Sequence, residues 1–180
     1  MIRLVFVLTV ICAVSSALLA AVYNMTKEPI AAAFEQRVRQ AAAQVMPAGL
    51  PEPEKMDVKT STGNDTFFVC KQDGKIVSAA VEGRSKNGYG GNVVLMVGMS
   101  MDGKLVNYVV VDASETPGLG SRIKGDAFKK PLLGKALNSS WSVKKDGGDV
   151  DAVTAATISS RAALECIKDA VAKLELLGKL

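Results

Sequence analysis

Val93-Val-Leu-Met-Val-Gly-Met-Ser-Met-Asp-Gly-Lys-Leu-Val-Asn-Tyr-Val-Val-Val-Asp112 decides the fold class. Two runs rich in Val and Met, Val93 to Ser100 and Leu105 to Asp112, flank Asp102-Gly103, a dipeptide suited to a hairpin turn, so they read as paired antiparallel strands. The same pattern lies upstream, where Thr66 to Lys71 and Lys75 to Val81 flank Asp73-Gly74. Towards the C-terminus the period changes to that of a helix. From about Ser159 to Leu177, residues Ala163, Ile167, Ala170, Val171 and Leu174 share one face, with Arg161, Glu165, Lys168 and Asp169 mostly off it. Meandering strands with helices set apart from them predict an α+β domain built on an antiparallel sheet with a C-terminal helix.

Ahead of this domain, Leu4 to Tyr23 is a stretch of about 20 residues interrupted only by Thr9, Ser15 and Ser16, enough at 1.5 Å per residue to cross the roughly 30 Å hydrocarbon layer once. Ser15-Ser16-Ala17 offers a signal-peptidase alternative, but the apolar run exceeds the 7 to 15 residues of a signal core, and an uncleaved anchor over residues 1–23 is expected. Arg3 precedes the span while Lys27, Arg37 and Arg39 follow it, so flanking charge alone leaves the orientation open. Ile30, Phe34, Val38, Ala41 and Val45 then form a helical stripe for which Pro29 suits the first turn and Pro47 the end. That juxtamembrane helix and a Pro-rich linker through Glu54 fill the interval from residue 24 to about 50, with the main domain at 51–180.

Composition removes several functions. The 180 residues contain no histidine, which excludes Cys/His zinc sites, His-ligated haem and Ser-His or Cys-His catalysis. A net charge of +4 is spread without a basic run, so no nucleic acid is expected. Cys12, Cys70 and Cys166 are far apart and form no CxxC; a Cys70–Cys166 bridge stays open at this level.

Three loops have the residue types for ligand binding. Asn87-Gly88-Tyr89-Gly90-Gly91 precedes a strand, where glycine lets backbone approach a ligand and Tyr89 offers a ring, although a flexible connection has the same composition. Ser114-Glu115-Thr116-Pro117-Gly118-Leu119-Gly120 follows a strand, with Pro117 fixing one φ and the glycines freeing others, a recipe for a rigid loop presenting N–H groups. In Asp151-Ala-Val-Thr154-Ala155-Ala156-Thr157-Ile-Ser159-Ser160, ahead of the last helix, one hydroxyl suffices as a cap and the others need another explanation. A phosphate esterified there would sit in the field of a helix N-terminus.

These loops, in this order behind one anchor, resemble those of the G subunits of Rnf electron-transport complexes and, more distantly, the C subunits of sodium-pumping NADH:quinone reductases. The likeness runs from Lys27-Glu-Pro through Gly88-Tyr-Gly-Gly and Glu115-Thr-Pro-Gly-Leu-Gly to the 151–160 segment. It implies covalent FMN, joined by a phosphodiester to Thr157 within Thr154-Ala155-Ala156-Thr157 and installed by a Mg-dependent flavin transferase using FAD. It further implies that the Gly88-Tyr89-Gly90 and Glu115 to Gly120 loops line the flavin site and that Asp151 steadies the acceptor loop. Ala155 stands where the family usually has glycine, and Ala113-Ser114 where many members carry a histidine.

The expected function is then that of an electron-relay subunit without independent turnover, in a complex coupling ferredoxin:NAD+ oxidoreduction to Na+ or H+ translocation. Its partners would be the other membrane and redox subunits, the transferase and membrane lipid, and its flavin domain would lie outside the cytoplasmic membrane. Alternatives are a stand-alone anchored flavoprotein, a subunit of the sodium-pump type, or an assembly subunit that carries no flavin.

Overall fold

The computed structural model describes residues 2–60 and 63–177. Residues 1, 61–62 and 178–180, which fall within the expected anchor and domain ranges, lie outside it. The chain divides into two compact units, Met1–Arg37 and Val38–Leu180.

Helix α1 runs unbroken over Ile2–Gln44. Pro29, expected to open a separate helix, lies inside it, so the apolar span and the following stripe are one element. Its N-terminal part is long and apolar enough to cross a bilayer. The hydroxyls of Thr9 and Thr26 there donate to the carbonyls of Val5 and Val22, each at 2.9 Å, so neither is left unsatisfied in an apolar setting.

The second unit is a five-stranded antiparallel meander, β1 (Glu54–Thr60), β2 (Gly63–Gln72), β3 (Lys75–Gly88), β4 (Gly91–Ser100) and β5 (Leu105–Ala113), in sequential order. No strand was expected over β1, because Lys55, Asp57 and Lys59 make it a charged edge strand with little apolar signal. The two Asp-Gly turns differ. Asp73 and Gly74 both take positive φ, the requirement of a two-residue type I′ turn, whereas at the second turn only Gly103 does, in a longer loop closed by Gly103 N donating to Ser100 O.

Both sheet faces are covered. Alternation along the strands sends Phe67, Val69, Leu95, Val97 and Tyr108 to one side, against Ala163, Ile167, Ala170 and Leu174 of the C-terminal helix α3 (Thr157–Leu177). It sends Phe68, Ala80, Met96 and Val111 to the other, against Ala41, Ala42 and Val45 at the end of α1. Asn107 Nδ2 donates to the Gln44 carbonyl at 2.9 Å and satisfies one of the orphan acceptors at that helix end. Lys173, buried on α3, is neutralised by Asp169 at 2.9 Å and Asp65 at 3.3 Å and donates to the Glu82 carbonyl.

Strand β3 carries α3 closely because Gly83 lies directly beneath it. A Cβ at Gly83 would overlap the backbone carbonyl of Cys166. The Cys70 and Cys166 thiols are both free and buried, donating to the carbonyls of Pro51 and Val93 at 3.3 Å. The bridge between them left open by the sequence is absent. Burial pushes the Cys166 thiol up to about 12 and raises that of Cys70.

Two outcomes follow from this packing. Gly83→Ala forces the sheet and helix apart and is expected to lower stability by about 1–3 kcal/mol, measured by urea unfolding monitored through the buried Trp141. With their thiolates suppressed, Cys70 and Cys166 should resist alkylation at pH 8 in the folded protein and react once it is unfolded.

Candidate functional site

The three loops singled out in the sequence meet at one end of the sheet, each arriving by its own local chemistry. The first is no loose loop. Strand β3 extends to Gly88, which pairs with Gly91, so Tyr89-Gly90 is a two-residue hairpin tip. Glu165 of α3 steadies its base by accepting from Ser85 Oγ at 2.6 Å and from Asn87 Nδ2 at 2.8 Å. Tyr89 at the apex is 70% exposed.

The second loop begins with a β-turn. Pro117 occupies its second position and Gly118, at φ +75°, its third, with Leu119 N donating to Thr116 O at 3.2 Å. A 3-10 turn, Gly120–Lys124, follows. It is pinned from below by the buried Tyr108 hydroxyl, which donates to the Ile123 carbonyl at 2.5 Å. Burial pushes the Tyr108 hydroxyl up, so it remains a donor at any physiological pH.

The third segment turns through Val153-Thr154-Ala155-Ala156, closed by Ala156 N donating to Val153 O at 2.9 Å. Ala155 carries φ +59°, the left-handed conformation that glycine adopts without cost. Thr157 is the first residue of α3. The turn is latched by Ser160, whose Oγ accepts from Val153 N and donates to Ala156 O, both at 2.9 Å. Asp151 does not take the steadying part expected of it. It is exposed and pairs with Lys144 Nζ at 2.7 Å. The sequence showed Ser160 only as one more hydroxyl, because its two backbone partners depend on a turn geometry that composition does not disclose.

These segments enclose a cleft of about 280 Å³ lined by Tyr89, Glu115, Thr116, Leu119, Gly120, Ala155, Ala156, Ile158 and Ser159. Ile158 was absent from the expected set, although an isoleucine off the buried stripe of α3 and 46% exposed is the signal that marks it. Gly88 and Gly90 stand behind the cleft, where side chains would strike Glu115 and Ser114 respectively. Pro117 lines a second cleft of about 240 Å³ with Val110, Ser121 and Lys124, which shares Glu115 with the first. Thr154 and Gly118 are exposed and line neither of these two clefts, and Thr157 is half-buried directly between the lining residues Ala156 and Ile158.

Glu115 is the point where all three segments touch. Ser159 Oγ donates to its Oε2 at 2.5 Å, and a Cβ at Gly88 or Gly120 would run into Oε1 or Oε2 respectively. Its Oε1 is buried and has no hydrogen-bond partner. Leaving such an acceptor unpaired costs roughly 1–3 kcal/mol. No group of three or more acidic or Cys side chains suited to a metal occurs among the described residues.

Residues 88–172 match the FMN-binding domain family. The G subunit of an ion-translocating oxidoreductase complex from Shewanella baltica is 33% identical over 187 residues, covering 95% of this chain and 88% of that protein. The chain belongs to this G-subunit family. A further member, the G subunit of a proton-translocating ferredoxin:NAD(+) oxidoreductase complex from Clostridium ljungdahlii, is 30% identical over 166 residues, with 91% of this chain and 86% of that one covered. In fold, the chain is similar to the crystal structure of the C subunit of the Na(+)-translocating NADH-quinone reductase from Parabacteroides distasonis, with a TM-score of 0.58, 17% identity, and coverage of 80% of this chain and 92% of that one.

The cleft fits the flavin that an FMN-binding domain of the G-subunit family implies. Its volume falls just below the roughly 300–1,000 Å³ usual for small-molecule sites, its walls combine Tyr89, Leu119 and Ile158 with backbone at Gly120, and the lining residue Glu115 carries one buried unsatisfied oxygen. An α-helix begins at its rim.

Because Ala155 already holds the left-handed geometry, replacing it by glycine removes strain without reshaping the turn. Ala155→Gly is expected to stabilise the domain by about 1 kcal/mol, the relief of the left-handed penalty less the extra entropy of an unfolded glycine, and to raise Tm by roughly 2–4 °C in calorimetry.

Proposed function

We propose that this chain is the FMN-bearing electron-relay subunit of a membrane redox complex, with FMN esterified to Thr157 and its ring in the cleft between Tyr89, Leu119 and Ile158. The single observation that carries this reading is the convergence of three separately formed loops on one cleft at the N-terminus of α3, beside a threonine hydroxyl that the fold leaves uncommitted. Ser159 and Ser160 have their hydroxyls engaged with Glu115 and with the turn, respectively. Thr157 makes no side-chain hydrogen bond among the described residues and is the better acceptor on that ground.

Each residue then has a part. A phosphodiester at Thr157 would lie in the field of the α3 N-terminus, worth about 0.3–1 kcal/mol where exposed and too weak by itself to retain a cofactor. The covalent bond supplies retention. Tyr89, Leu119 and Ile158 give apolar cover, and the Thr116 to Gly120 turn offers backbone at close range. The flavin, once bound, supplies one- and two-electron redox chemistry, which explains why a chain without histidine or a nucleophilic triad suffices. Ala155 adopts the shape its glycine counterpart would, so the substitution leaves the acceptor turn intact for a flavin transferase.

The finer assignment follows the same line. We place the domain on the outer side of the cytoplasmic membrane, where a dissociable flavin would be lost and a tethered one would not, and the electron path between ferredoxin and NAD+ with ion translocation. The N-terminal part of α1, long and apolar enough to span, provides the anchor in lipid.

Thr157→Ala should eliminate the fluorescent flavin band on a denaturing gel of protein made together with the transferase, while Thr154→Ala retains some of it. A band that survives Thr157→Ala would transfer the attachment to Ser159 or Ser160, and its absence from the wild-type chain would remove the relay function altogether.

A further inference from the structure

Beyond Val81, strand β3 leaves its β2 neighbour behind, because the β2–β3 ladder ends at the pair of Phe67 and Val81. On that side the arm from Glu82 to Gly88 has no strand to bond, and helix α3 supplies partners in its place. Glu165, Asp169 and Lys173 stand four residues apart along one line of the helix. Lys173 Nζ donates to the Glu82 carbonyl at 2.9 Å, and Asp169 Oδ2 accepts from Arg84 N at 2.9 Å. Glu165 takes over where the arm also departs from β4. The β3–β4 register shifts after Ser85 and resumes only at Gly88 and Gly91. Within that interval Asn87 N donates to Ser85 Oγ at 3.1 Å, and both side chains donate to Glu165 Oε2, at 2.6 Å from Ser85 and 2.8 Å from Asn87. Past Asn87 the tip is Gly88-Tyr89-Gly90-Gly91, three glycines around one ring, with little stiffness of its own.

Resting on the flavin reading above, we propose that Glu165 is a positioning residue of the flavin site, holding the arm whose tip brings the Tyr89 ring to the cleft. Glu165 is not among the residues that line the cleft and acts through Ser85, Asn87 and the tip. Thr157 and Glu165 belong to the same helix, about 12 Å apart along its axis at 1.5 Å per residue. One rigid element therefore sets both the tether and the aromatic wall, and the spacing between them is not left to the glycines of the tip. Without the brace, the tip keeps the Gly88 to Gly91 pair and the Ser114 backbone behind Gly90, while Tyr89 loses its fixed aim.

The test uses the full-length chain, made together with the transferase and extracted in detergent. Glu165→Leu removes both bonds to the arm, and Glu165→Gln restores an acceptor through its amide oxygen. The two variants carry the same charge, so a difference between them is not anion repulsion. In Glu165→Leu the flavin fluorescence should be quenched by iodide more readily than in wild type, and the amides of residues 88–91 should exchange hydrogen faster. Both should recover in Glu165→Gln. The deciding comparison adds Tyr89→Ala, which by itself should open the flavin to iodide. Glu165→Leu placed on that background should open it no further, because the brace acts through the ring. Should Glu165→Leu not fold, Asn87→Ala, which removes one of the two bonds, carries the same comparison with wild type and with Tyr89→Ala. Iodide access and tip exchange that match wild type, or a further rise in iodide access on the Tyr89→Ala background, overturn the proposal and leave the relay reading in place. A wild-type chain with no flavin mass increment overturns that reading instead, and the exchange of residues 88–91 then decides the brace alone.

Discussion

The hydrogen bond from Ser159 to Glu115 joins elements that are otherwise far apart in the chain. Glu115 follows the last strand and Ser159 belongs to the first turn of the final helix, 44 positions later. Because Gly88 from the β3–β4 tip and Gly120 from the next turn lie beside the same carboxylate, one side chain links all three segments around the cleft. That arrangement favours glycine at both positions, most firmly at Gly88, where a Cβ would also overlap the Gly91 carbonyl. It also requires the loop after β5 to be stiff, which Pro117 and the left-handed Gly118 provide.

Beneath the site, a rigid platform is obtained by covering both faces of the meander. Helix α3 packs on one face, held close by Gly83 and by the buried Lys173 network, and the end of α1 packs on the other. Tyr108 links platform and site directly, since its ring belongs to the core while its hydroxyl holds the turn that presents Gly120. A site supported in this way owes its geometry to core packing rather than to the loops alone.

How much of this was legible beforehand depended on whether the controlling interaction was local. The Asp-Gly hairpins, the strands rich in Val, Phe and Met, and the amphipathic last helix all declare themselves within a few residues, although β2 begins three residues early, β3 runs seven residues further to Gly88 and α3 begins two residues early. Strand β1 did not, because an edge strand with charges on alternate positions has little apolar signal. Nor did the unbroken α1, since Pro29 is locally a start signal and only the continuous helix overrides it. At the site, Tyr89, Glu115, Gly120 and Ala156 were identified by motif, but the latch by Ser160, the brace from Glu165 and the exposure of Asp151 rest on contacts that no local pattern discloses.

The tether proposed at Thr157 accords with the shape of the cleft. The cavity of about 280 Å³ lies open at the surface, with Tyr89 largely exposed at its edge. A deeper pocket would bind more tightly but would wrap the ring in protein and lengthen the path to any redox partner. Once retention is assigned to a bond at Thr157, the cleft is released from that requirement and its polar groups can serve orientation instead.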